Sequence, residues 1–433
     1  MINHPISLQV RPDCIIEEHK FTLLFLSRRS RYNQGCRFFK RGIDQDGNVA
    51  NFVETEQVLL FPDGRVASYV QIRGSIPIVW RSLPHIKYAP EVQMESTIQK
   101  SISAATLHVR SILDSYSDAQ GRAGVLFVNL IDNKGEQGVL GNTFKSVVDD
   151  VKAAATSRMH AVDFVWFDFH AETKKKGKWN NLGKIIPLCD KIFTAQGYFA
   201  MQADGTVSSW QVGCIRTNCV DNLDRTNVVQ SLFARRSILR QLDKLPAPAA
   251  GASDEDAINS PYPAFEQIYK GVWANNANSI SVLYAGTGAL KVDFTKTGKR
   301  TLAGVFADGV NSCKRYYINN FTDGIKQDAI DLMLGSYQPK LKAHSPFSGD
   351  MHHDDLATSG LKFFSLALLL FSLRALTSTH CSNPLYLMQF MKQALQASLV
   401  VFMLCMFLLV KKGSPVGKRL VITNRLCLPE PLR

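Results

Sequence analysis

Three features of this chain predict an α/β fold in which a mixed sheet flanked by helices is followed by a C-terminal transmembrane hairpin. Residues 1 to about 345 alternate short apolar strand patterns with helical ones, enough chain for one large domain. Near residue 215 a strand, a short polar loop and a helix follow one another directly. Past residue 360 two long apolar runs replace the mixed pattern.

The strand is read as Val207 to Ile215, and the helix as starting at Asn227, where Val228, Val229, Leu232, Phe233 and Leu239 recur at helical spacing. Between them runs Arg216-Thr-Asn-Cys-Val-Asp-Asn-Leu-Asp-Arg-Thr-Asn227, in which five residues separate Cys219 from Arg225 and Thr226 follows at once. That spacing is cysteine-phosphatase-like, and the reason is physical. Backbone N–H groups from Val220 through Asn222 and Leu223 to Arg225 have no intrahelical partner, so they can turn inward on a phosphate, and the helix dipole adds positive potential there. The same field favours thiolate over thiol at Cys219, the nucleophile. Arg225 offers a planar fork for two phosphoryl oxygens, and the Thr226 hydroxyl is a donor for the departing thiolate. Asp221 and Asp224 are both candidates for the proton transfers of such a reaction, and both are equally readable as turn or capping residues. The spacing alone does not choose.

The complete string resembles the signature of the Sac-domain phosphoinositide phosphatases, Arg-x-Asn-Cys-x-Asp-Cys-Leu-Asp-Arg-Thr-Asn, with Asn222 standing where the family has a second cysteine. Further landmarks come in the family's order: Ser27-Arg-Arg-Ser-Arg-Tyr32, Arg41-Gly-Ile-Asp44, Asn51-Phe-Val-Glu-Thr-Glu-Gln57, Gln71-Ile-Arg-Gly-Ser-Ile-Pro77 and Phe167-Asp-Phe-His170 upstream, then Tyr284 to Phe294, Thr297-Gly-Lys-Arg300, Arg315-Tyr-Tyr317 and Asn319-Asn-Phe-Thr-Asp-Gly324 downstream. The resemblance covers about residues 20 to 340 and implies a Sac-type catalytic domain over residues 26–345. It also implies that residues 1–25 are the remnant of an N-terminal subdomain. Within the matched part, Asn278 replaces a usual Asp and Leu283 a usual Gln.

Several of these segments carry charge. Arg41, Arg73 and Arg315 are surface charges by default, and the resemblance makes Arg73 and Arg315, with Lys291 of the Gly286-Thr-Gly288 segment, candidates for binding an anionic substrate. The segment lacks the spacing of a nucleotide loop. Phe164 to His170 reads as a buried strand ending in polar groups; Asp168 and His170 are read either as part of an active-site rim or, the favoured reading, as a capping or network carboxylate and a structural histidine. Lys174-Lys-Lys-Gly-Lys178 is a solvated basic loop that an anionic lipid surface would attract.

A formal net charge of +13 implies polyanionic partners, and since no finger spacing, stacking motif or basic helix accompanies it, an anionic membrane surface is favoured over nucleic acid. Nine cysteines without a Cys-x-x-Cys pair, and no secretory signal, fit a reduced compartment. The histidines do not cluster with carboxylates, so neither a metal nor another cofactor is expected. Residues 245–258, rich in Pro, Ala and acids, read as a flexible insertion, and residues 346–360 as a linker.

The apolar runs are taken as spans over about residues 361–377 and 386–410, with residues 412–433 as a cytosolic tail. The second run has the roughly 20 residues a bilayer requires and stops at Lys411-Lys412. Basic residues follow it but are scarce in the intervening loop, which places both flanks in the cytosol. By resemblance to the family's membrane-resident branch, the expectation is a multi-pass protein of the endoplasmic reticulum or Golgi, acting on phosphatidylinositol monophosphates and above all the 4-phosphate. The alternative is a catalytically impaired, membrane-tethered phosphoinositide-binding protein.

Overall fold

The computed structural model describes residues 3–82, 91–153, 162–173, 178–243, 261–290, 292, 296 and 301–336. They belong to two compact units, Met1–Leu83 with Ala89–Asn319, and Pro84–Tyr88 with Asn320–Arg433.

The first unit begins with an antiparallel meander of β1 (Asn3–Ile16), β2 (His19–Ser30), β3 (Val53–Leu60) and β4 (Val66–Arg73). Period-two alternation builds it: Phe21, Leu23 and Phe25 of β2 are buried while their neighbours are not. Thus residues 3–25 lie in the same sheet as the strands that follow. After β4 come a short ladder of β5 (Trp80–Arg81) and β6 (Gln93–Met94), helix α1 (Ile98–Ser115), β7 (Val125–Asn129), α2 (Gly135–Ala153), β8 (Val162–Trp166), α3 (Phe169–Thr173) and a 3-10 helix at Lys178–Lys184. Then follow α4 (Ile185–Gln196), β9 (Phe199–Met201), β10 (Val207–Ser209), β11 (Cys214–Asn218), α5 (Asp224–Gln241), α6 (Pro263–Ala285) and α7 (Leu302–Tyr317).

The main sheet runs β1-β2-β3-β4-β11-β7-β8, and β9 pairs with both β4 and β10. β11 is parallel to β4 and β7, and β7 to β8, so the sheet is mixed as expected. In the parallel half the alternation disappears, because every residue of β7 and β11 is buried. Helices α5 and α6 cover the inner face of the meander, where Phe25 meets Trp273 edge to face with ring centres 5.0 Å apart. α6 starts with Pro263 and stops at Gly286, whose φ of +75° a bulkier residue would resist. The Thr301 hydroxyl accepts from Gly304 N at 2.9 Å and so caps α7.

Two element boundaries differ from the sequence reading. The strand expected over Val207 to Ile215 is broken: β10 pairs with β9 at the side of the sheet, and only Cys214–Asn218 runs between β4 and β7. Gly213 causes the break, with φ of +107° and Gly124 backbone packed where a side chain would be. The strand read as Phe164 to His170 ends at Trp166, since Asp168 Oδ1 accepts from Ala171 N at 2.9 Å and starts α3 instead.

In the second unit, helix α8 (Asp323–Met333) is described, with Gln327 Nε2 donating to Asp331 Oδ1 at 3.0 Å. Among the described residues no helix is long and apolar enough to cross a membrane. The insertion at 245–258, the linker at 346–360, both apolar runs, the tail and most of the Lys174–Lys178 loop lie outside the described residues.

Candidate active site

The phosphate-loop candidate sits at the carboxyl end of β11, beside its neighbours β4 and β7, which is where open α/β sheets place their ligands. Buried polar groups fix that strand end. Asn218 Nδ2 donates to Asn129 Oδ1 at 2.7 Å across to β7, and Leu130 N donates to Asn218 O at 2.9 Å. The fully buried Arg216 donates to Gly74 O at 2.9 Å and to Ser75 O, and its guanidinium lies 5.7 Å from the Phe127 ring centre. Burial pulls Arg216 down to about 9, with Cys214 opposing, which still leaves a cation at neutral pH. One strand end is thereby tied to both neighbours.

Five residues, Cys219 to Leu223, separate β11 from α5, so Asp224, Arg225 and Thr226 already belong to the first helical turn. The helix therefore begins three residues earlier than its apolar spacing indicated. Cys219 is 2 % exposed, and its Sγ accepts the backbone N–H of Asn222 at 3.1 Å. Asn222 itself holds φ of +55°, a left-handed conformation that Asn tolerates better than most residues, while its Nδ2 donates to Asn51 O at 3.1 Å. Leu223 is buried against Val53, Ile280, Tyr284 and Ala285, and Val220 packs partly into the main core, so both pin the loop with their side chains. Thr226 is fully buried and its Oγ1 has no hydrogen-bond partner among the described residues.

The two acids of the loop differ. Asp221 is gripped by Arg37, with Nη2 2.5 Å from Oδ2, and by Arg41, with Nη2 2.6 Å from Oδ1. Arg41 also donates to Val220 O at 2.5 Å. Burial alone would raise the Asp221 carboxyl, but the two guanidiniums outweigh it and hold the group well below the usual carboxylate range. Asp224 stands instead at the helix start and is half-buried.

Arg225 turns toward the segment after β7. Its Nη1 donates to Leu130 O at 3.1 Å, Asp132 Oδ1 at 3.2 Å and Gln137 Oε1 at 3.4 Å, and its Nη2 donates to Gln137 Oε1 at 3.4 Å. Gln137 is itself oriented by accepting from Asp132 N at 3.2 Å and donating to Asp132 Oδ2 at 3.3 Å. His170 Nδ1 lies 2.8 Å from Asp132 Oδ1, close enough for an ion pair but not aligned as a hydrogen bond. His170 therefore joins this polar network through Asp132.

Over residues 3–174 the chain matches the SacI homology domain family model. It is 42% identical over 324 residues to the phosphatidylinositol-3-phosphatase SAC1-B of Danio rerio, covering 75% of this chain and 52% of that protein. With the phosphatidylinositol-3-phosphatase SAC1 of Saccharomyces cerevisiae it shares 37% over 347 residues, covering 77% and 52% respectively. With the human phosphatidylinositide phosphatase SAC2 it shares 36% over 324 residues, covering 74% and 26%. A stretch of that length includes the Cys219 to Arg225 loop wherever it lies in the chain. Residues 3–174 thus belong to the SacI homology domain family. The chain spans about half the length of the SAC1 relatives, at 52% of each of the two compared.

The remaining positions singled out from the Sac resemblance fall outside the loop itself. Arg73 is fully buried beneath the start of α5, donating to Gln230 Oε1 at 2.7 Å and to Asn227 Oδ1 at 3.2 Å. Burial pulls it down to about 9, while Cys219 and Asp224 act in the other direction, so its charge is felt from below the loop. Arg315 is buried as well, donating to Thr287 Oγ1 at 2.9 Å, Ser281 Oγ at 3.1 Å and Gly288 O at 2.9 Å. Neither guanidinium is the surface charge that sequence alone suggests, and Arg41 is not one either. Asn278, the missing Sac carboxylate, accepts from Ala289 N at 3.0 Å, so it orders the turn that Arg315 grips. Lys291 lies outside the described residues.

Arg37, Asp132 and Gln137 were not legible as site residues. One signal was available for Asp132: it follows the run Val125 to Ile131, which is apolar except for Asn129, and a carboxylate just past the carboxyl end of a buried parallel strand lies where α/β sites collect. Among the described residues no group of three or more His, Cys, Asp or Glu could hold a metal.

Proposed function

We propose that this chain is a phosphoinositide phosphatase that works through a phosphocysteine on Cys219. The observation that carries the reading is the Cys219 loop itself, a buried thiol at the end of a parallel strand, with a backbone N–H aimed at its sulfur and an arginine in the first turn of the next helix. The curated relatives, named as phosphatidylinositol phosphatases, supply the substrate class.

In the first step the Cys219 sulfur attacks phosphorus, the ester P–O bond breaks, and the inositol oxygen leaves with a proton. Water then attacks phosphorus, the P–S bond breaks and inorganic phosphate leaves. N–H groups of the loop and Arg225 hold the phosphoryl oxygens, and the unpartnered Thr226 hydroxyl is available to the sulfur as it leaves. Asp224 is the proton carrier. Asp221, ionised between two arginines, has no proton to give and instead fastens the loop. Arg73 acts from beneath, and Arg315 shapes the neighbouring turn.

The substrates are phosphatidylinositol monophosphates. The 4-phosphate follows from the resemblance to the membrane-resident branch, whereas the SAC1 relatives are named 3-phosphatases, so the assay carries both isomers. Location in an endoplasmic reticulum or Golgi membrane through residues 361–410, and attraction of a chain of net charge +13 to anionic lipid, belong to the same proposal. Full-length protein is given vesicles containing either monophosphate, and phosphate release is compared with Cys219→Ser. The variant should release none above background. Equal rates in both proteins would refute the enzyme.

A further inference from the structure

Arg225 has a well-built resting seat. Three acceptors, Leu130 O, Asp132 Oδ1 and Gln137 Oε1, receive its guanidinium, and all come from the segment between β7 and the first turn of α2. Gln137 cannot swing its oxygen away cheaply, because Asp132 N donates to that oxygen and the Gln137 amide donates back to Asp132 Oδ2. Trp166 Nε1 donates to Ile131 O at 2.9 Å, and Asn133 N donates to Asp168 Oδ2 at 3.0 Å, which anchors the segment on both sides of Asp132. A carboxylate and a phosphate ask for the same fork of donors.

We infer that Asp132, held by Gln137, is a positioning residue that competes with the substrate phosphoryl group for the Arg225 guanidinium, so that phosphate entry draws Arg225 off Asp132. This rests on the phosphatase reading above. The seat keeps an isolated cation satisfied when the loop holds no anion, and it sets the affinity the loop shows for any phosphate. Asp132 touches no reacting atom. It acts through Arg225.

The test uses full-length protein and two readouts, inhibition of monophosphate hydrolysis by inorganic phosphate, and the shift in melting temperature that inorganic phosphate produces without any turnover. Asp132→Asn keeps the shape and removes the charge that competes. KM and the phosphate inhibition constant should both fall roughly tenfold, and the phosphate-induced melting shift should grow, because a charge-assisted partner has been withdrawn. Asp132→Glu, which restores a carboxylate, should return both constants toward wild type. In an Arg225→Lys background, Asp132→Asn should produce no such gain. Gln137→Met, which removes one acceptor without touching charge, should move the constants in the same direction by a smaller factor.

A fall in kcat with KM and phosphate inhibition unchanged would overturn the inference, since Asp132 would then align Arg225 for the reaction. So would a gain that persists without Arg225. Should wild type bind phosphate in the melting assay and hydrolyse neither lipid, the catalytic reading fails. The competition then stands or falls on the melting shifts alone.

Discussion

The two shoulders of the Cys219 loop are both arginine–carboxylate contacts, yet they are built for opposite ends. On the Asp221 shoulder one carboxylate meets two guanidiniums, and the Arg41 side chain is only 2 % exposed. On the Arg225 shoulder one guanidinium, 15 % exposed, meets one carboxylate plus two neutral oxygens, and that carboxylate, Asp132, also has His170 beside it. The difference teaches that pairing alone does not say what a charge contributes. What decides is what would be left behind if the partner moved. Separating Asp221 would strand a buried cation, whereas Arg225 can leave Asp132 with solvent and His170 still beside it.

The largest effect that would break this contrast concerns Asp221. Asp221→Asn should cost about 2–4 kcal/mol in urea unfolding, because Arg41 is left buried without a countercharge. A change below ~0.5 kcal/mol would remove the staple from the comparison. The same variant carries a pH signature. The Asp221 carboxyl is depressed in the folded state, so it contributes stability above the ordinary carboxylate pKa of about 4 and loses that contribution as pH falls below it, where the unfolded chain binds more protons. Melting temperatures of wild type and Asp221→Asn should therefore differ at pH 7 and converge as pH falls from about 4.

An intermediate effect is expected at the turn between the shoulders. Asn222→Cys, which restores the residue of the Sac signature, should cost about 1–2 kcal/mol, since cysteine tolerates φ of +55° less well and its thiol is a much weaker donor to Asn51 O than the amide. The smallest effect belongs to the seat. Asp132→Asn should change stability by less than about 1 kcal/mol, even though it changes phosphate affinity as argued above. A loss comparable to that of Asp221→Asn would make both shoulders staples.

How far the chain disclosed this site varies from residue to residue. Cys219, Arg225 and Thr226 were legible because they fall within one stretch of eight residues, and a strand–loop–helix can be read from local spacing. The capping role of Asp168 was legible for the same reason, since it serves an amide three residues ahead. The start of α5 was placed late because Asp224, Arg225 and Thr226 carry no apolar periodicity, although the dihedrals there are already helical. The break at Gly213 was hidden because its cause is Gly124, far away in the chain. Arg37, Asp132 and Gln137 were hidden likewise, since each meets the loop across more than 80 residues of sequence.

By itself, then, the sequence determined the mixed α/β architecture, the strand–loop–helix string that carries Cys219 and Arg225, and the likeness to the Sac family. These follow from residue type and short-range spacing, which survive in any conformation the backbone can adopt. Only the tertiary structure decided which acid is held between two guanidiniums and where Arg225 rests. Both depend on electrostatic partners brought together by the sheet order β4-β11-β7 and by the segments leaving those strands, and charge acts through space rather than along the chain.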